Sequence, residues 1–88
     1  MAVDTARIDA HVAGFCRRNG LSRDDLFART NRWAISHKRH RLMLELWAEG
    51  RSISAIARHM GLAPATVRNG MRSELHRLFR ADQQRRAA

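Results

Sequence analysis

Residues 54–71 read SAIARHMGLAPATVRNGM, and the fold turns on whether they form two short helices joined by a tight turn. Ala57 is small enough to let two helices cross closely. Gly61, four residues later, tolerates a left-handed backbone at a turn. Pro64 suits the first turn of a following helix, where its missing N–H has no partner to lose. Ile56, Met60, Leu62 and Val67 are spaced to lock the pair together. The spacing therefore predicts helices over about 53–60 and 64–80, arranged as a helix-turn-helix.

Working outward, Ile8, Val12, Phe15 and Cys16 fall at i, i+4, i+7 and i+8, the stripe of a first helix over about residues 4–18. Asn19-Gly20 marks its stop. In GLSRDDLFAR, Ser22 reads as an N-cap, Asp25 follows three residues on, and Leu21 can staple to Leu26. A short second helix over about 23–30 follows. Ser36 is the expected cap of a third helix, whose inward face is Leu42, Met43, Leu46 and Trp47, with Gly50 closing it. Val67, Met71, Leu75, Leu78 and Phe79 continue the inward stripe of the fifth helix, and residues 81–88 are expected to fray. The expected fold is one all-α domain of about five helices over 1–80.

The chain has 88 residues and a net charge of +9. Residues 1–28 hold four Arg and four Asp, which cancel, so the excess lies in residues 29–88, with thirteen Lys/Arg against four Asp/Glu. A one-sided basic surface suits a polyanion, nucleic acid before an acidic membrane. Sixteen of the seventeen basic residues are Arg, a bias that genome composition also produces. No apolar run approaches the roughly 20 residues of a membrane span. Cys16 is the only cysteine, so no internal disulfide can form, and a cytoplasmic, nucleoid-associated protein is expected.

Around the helix at about 100° per residue, Ala65, Thr66, Asn69, Arg72, Ser73 and His76 fall opposite the inward stripe, with Arg68 on the flank. These residue types suit a major groove: Arg pairs with guanine edges, Asn with adenine, and Ala or the Thr methyl with thymine methyls. Gly70 costs about 1 kcal/mol against Ala inside a helix, which implies a close approach to another helix or to a DNA backbone. The block HKRHR (residues 37–41), with Lys38, Arg39 and Arg41, is expected to hold phosphates together with Ser54 of the fourth helix, a plain solvated helix face being the alternative, and Pro64 is counted among the DNA-binding residues. Arg29 and Arg32 lie in a connection that can reach a minor groove, or are simply a surface pair. Either tryptophan could stack on a base; Trp47 is assigned to the core, and Trp33 is left open between the two roles.

Other chemistry finds little purchase. His37 and His40 have no third ligand at metal spacing, and a single Cys cannot build a zinc finger. His11 and Cys16 share one helix without a placed acid, and there is no phosphate-binding glycine loop. No enzyme activity, metal or cofactor is expected.

With these parts in order, the run from about Val12 to Leu78 resembles the C-terminal DNA-binding domain of the bacterial replication initiator DnaA, of the Trp-repressor-like superfamily. GLSRDDLFART is similar to that domain's short second helix, RTNRWAISHKRHRLMLELW to its basic loop and long helix, and SISAIARHMG to its first helix-turn-helix element. ATVRNGMRS is similar to the Trp repressor's reading helix at Ala65, Thr66, Val67, Gly70 and Ser73. The resemblance implies that Arg29 or Arg32 enters a minor groove and that Ala65, Thr66, Arg68, Asn69 and Arg72 enter a major groove. It departs at Ala63-Pro64-Ala65-Thr66-Val67, where the initiator carries Asp-His-Thr-Thr-Val, so the initiator's own Asp and His base contacts do not carry over. The short DnaA-like component of gene-transfer-agent or phage activators and the cell-cycle regulator GcrA are further similarities. The expected function is sequence-specific binding of double-stranded DNA in transcription regulation, as a monomer per half-site or a homodimer. The alternative is a protein-interaction adaptor or sigma-like module docking on RNA polymerase.

Overall fold

The computed structural model describes residues 2–28 and 32–87, with side chains from residue 5 onward. Arg29 lies outside the described residues. Five α-helices run in the order α1 (Ala2–Asn19), α2 (Arg23–Phe27), α3 (Trp33–Ala48), α4 (Ile53–Met60) and α5 (Pro64–Ala87), and the described residues contain no strand. None of these helices is long and apolar enough to cross a membrane.

Local chemistry sets most of the boundaries. The Ser22 hydroxyl accepts from the Asp25 amide at 3.0 Å and opens α2. Ser52 does the same for α4, accepting from Ala55 at 3.1 Å. At the other ends, Leu21, Arg51 and Leu62 each donate an amide to a carbonyl five residues back: Cys16 (3.0 Å), Leu46 (3.1 Å) and Ala57 (2.9 Å). These bonds satisfy carbonyls that a helix end would otherwise leave open. Gly61 makes the third closure possible, since its φ of +68° would strain any side chain there.

α3 is the hub, packed on each of the other four helices and most extensively on α5. The core takes Ile8, Val12, Phe15 and Cys16 from α1, Leu26 from α2, and Leu42, Met43 and Leu46 from α3. Ile56 and Ala57 of α4 and Val67 and Met71 of α5 complete it. Each fully buried large side chain among them contributes about 1.5–3 kcal/mol of transfer free energy.

Several sequence expectations need correction. Ser36 does not cap α3: the cap lies four residues earlier, where the amides of Ile35 and Ser36 donate to the Arg32 carbonyl. Residue 32 therefore opens the helix with its backbone, and no side-chain cap is involved. α2 ends at Phe27 rather than at about residue 30. Trp47 is half exposed rather than buried, and Leu75 and Phe79 are 52% and 61% exposed. The buried stripe of α5 instead runs Val67, Gly70, Met71, Glu74, so Leu75 and Phe79 are rotated off it. α5 continues through the expected fray to Ala87, and on that last stretch Asp82 pairs with Arg85 (3.7 Å) and Arg86 (3.1 Å).

Candidate nucleic-acid interface

α4 and α5 are joined by residues 61–63, and Ile56, Ala57 and Val67 are buried between them and the rest of the core. Pro64 starts α5, and the amides of Thr66 and Val67 fold back on the Ala63 carbonyl at 3.0 and 3.3 Å. That turn sets the rotation of α5. Val67 is driven inward, and every later residue follows at about 100° per step.

The inner side is anchored at two points. At Gly70, α3 comes so close that a Cβ would stand 2.7 Å from Met43 Sδ and 2.8 Å from His40 Cδ2. The glycine thus serves a helix–helix approach. One turn on, Glu74 is 1% exposed, a buried acid that the sequence reading missed. Arg77 grips it with two bonds (3.0 and 2.9 Å), Arg41 donates to it at 3.2 Å, and His37 Nδ1 lies 3.1 Å away. Burial pushes the Glu74 carboxyl up, but the hydrogen bonds from Arg77 and Arg41 and the neighbouring His37 outweigh it and hold the group below its ordinary value. His40, beside it, is held below the usual histidine value by burial first, then by Arg39 and His37, against an upward pull from Glu74.

The outer side is built differently. Ala65, Thr66, Arg68, Asn69, Arg72, Ser73 and His76 are all exposed, as are Pro64 and Ser54 of α4. Among the described residues, no ion pair or hydrogen bond engages the side chains of Arg68, Asn69, Arg72, Ser73 or His76. Arg80, one turn beyond His76, is exposed and uncommitted in the same way. Sequence reasoning stopped short of it, although its i+4 spacing from His76 places it on that face.

The basic block does not form a stripe. His37 and Arg41 turn to Glu74, and Arg41 also lies 3.8 Å from Glu45. Lys38 donates to the Asn19 carbonyl at the end of α1 (3.3 Å), and Arg39 is half-buried against a small cavity beside Phe27, Met60 and Leu62. Arg32 is exposed where α3 begins. His11 pairs with Glu45 at 2.9 Å, while Cys16 is buried in the core. No protein-family model, curated protein or solved structure matches this chain.

Proposed function

We propose that this protein binds double-stranded DNA in a sequence-specific manner and regulates transcription, with α4 and α5 acting as a helix-turn-helix. The N-terminal half of α5 enters the major groove, in keeping with the sequence resemblance to DnaA-like and Trp-repressor-like domains. One observation carries the reading: α5 presents a continuous exposed face with Thr66, Arg68, Asn69, Arg72, Ser73 and His76 and no acidic residue, while its inner face is fixed on α3. A cation without a counterion is available to phosphates and base edges, and a rigidly seated helix presents it in one register. Ser54 and the Arg32 end of α3 supply flanking backbone contacts.

The test is selection from a randomised duplex library with the purified chain, followed by anisotropy on the recovered site at several salt concentrations. A recovered motif with affinity falling steeply as salt rises supports the reading. Binding indifferent to sequence would refute it. The exposed Leu75 and Phe79 favour a second reading, an adaptor that docks on another protein such as RNA polymerase or a sigma-like factor. Docking through that apolar surface would be far less sensitive to salt.

A further inference from the structure

α5 carries a second feature at the far end of its outer face. There a groove of about 620 Å³ opens between α3 and α5, with Trp33 on one wall and Ser73, His76, Arg80 and Gln84 on the other. Trp33 is 73% exposed, and its indole stacks on the His37 ring at 5.2 Å between centroids and 9° between planes. A tryptophan left in water forgoes more burial than any other side chain, so a flat aromatic stacked on a histidine beside a groove is a platform for another ring.

The charge around it is equally specific. Glu74, the one acid at the floor, is saturated by Arg41, Arg77 and His37. Arg80 and His76 are not engaged, so the groove's unspent capacity is cationic and hydrogen-bonding. Ser73 and His76 belong both to this groove and to the face proposed to read DNA. Arg80 lies about 17 Å along the helix from Asn69.

We infer that this groove seats an unpaired nucleotide, its base stacked on Trp33 and its phosphate against Arg80. The inference rests on the nucleic-acid reading and adds to it a preference for a single-stranded segment next to the duplex site. Stacking on an aromatic is worth enough per base to change affinity by about tenfold or more.

The experiment uses the full chain in a Trp47→Phe background, so that Trp33 is the sole indole, and follows its emission while an oligothymidylate of about eight nucleotides is added. Saturable quenching is expected, weakened about tenfold by Arg80→Glu. Anisotropy of the labelled oligonucleotide should show a similar loss for Trp33→Ala. Both side chains are exposed, so neither change disturbs the core. Polyglutamate of equal charge should leave the emission unchanged. Equal quenching by polyglutamate, or oligothymidylate binding unaffected by both substitutions, would overturn the inference. If the duplex selection succeeds while oligothymidylate has no effect, this inference alone fails. If neither nucleic acid binds, the proposed function fails with it.

Discussion

The two faces of α5 use the same residue type for opposite ends. On the inner face, Arg77 and, across from it, Arg41 of α3 are spent on Glu74, a carboxylate shut away from water. On the outer face, Arg68, Arg72 and Arg80 stand in solvent with nothing to neutralise them. Elsewhere Arg23 is drawn to Asp9, Arg18 to Glu45, and Arg85 and Arg86 to Asp82. The net charge alone therefore does not tell which arginines remain free. Arg68, Arg72 and Arg80 are the arginines of α5 left without an acidic partner, and Arg7 and Arg17 of α1 and Arg58 of α4 are likewise unpaired elsewhere among the described residues. Exposed pairs of this kind contribute little stability, about 0–1 kcal/mol each, so their main effect is on where free charge remains.

That contrast can be broken from the inside first. Gly70→Val places a branched side chain against Met43 and His40 and should lower unfolding stability by about 2–3 kcal/mol in a urea titration. Unchanged stability would mean that α3 and α5 are not in close approach at Gly70. On the outer face, Asn69→Ala and Arg72→Ala should each cost about 1–3 kcal/mol of binding to the selected duplex and relax base choice, with the melting temperature unchanged. If affinity and sequence preference both survive, the outer face is not the reading surface.

Glu74→Gln tests the buried cluster. It should cost about 1–2 kcal/mol near neutral pH, less than a fully buried pair would lose, because Arg41 and Arg77 are part-exposed and can turn to water. The same carboxyl has a pH signature. Its folded value lies below its unfolded one, so its contribution is complete above the unfolded value and is lost as pH falls through the folded one. His40 and His59 are also depressed, burial being the first cause in both, so each favours unfolding as pH drops below about 6.5. Thermal melts from about pH 7.5 downward should fall in two stages, the histidines first and Glu74 later, and Glu74→Gln should remove only the second. A melting temperature flat across that range would contradict all three assignments. The smallest effect belongs to Lys38→Ala, about 0.5–1 kcal/mol of stability from the lost contact at the end of α1. A salt slope for duplex binding flatter by about one unit would instead return Lys38 to the DNA surface.

Features written within a few residues were legible in the sequence. The Ser22 cap, the Gly61 turn, the Pro64 start and the α1 stripe need only neighbours in the chain, and the structure shows all four. The outer face of α5 was legible because it lies opposite Val67 and Met71. What failed depended on distant partners. Glu74 is buried because Arg41 and His37 arrive from α3, and hydropathy alone moved the inward stripe toward Leu75 instead. Five consecutive side chains at 37–41 cannot share one helical face, which is why the block divides among α1, the α2–α4 cavity and α5. The exposure of Trp33 depends on how α5 lies along α3, and no local pattern reports that.

The closing of three helices by a bond that reaches back only five residues bears on how fast this chain folds. Each of these boundaries is specified inside its own stretch of chain, so α1, α3 and α4 can stop correctly before any tertiary neighbour is present. Chains dominated by such local order fold in microseconds to milliseconds. What is left is the docking of the formed helices on one another, of which α5 across α3 is the most extensive contact.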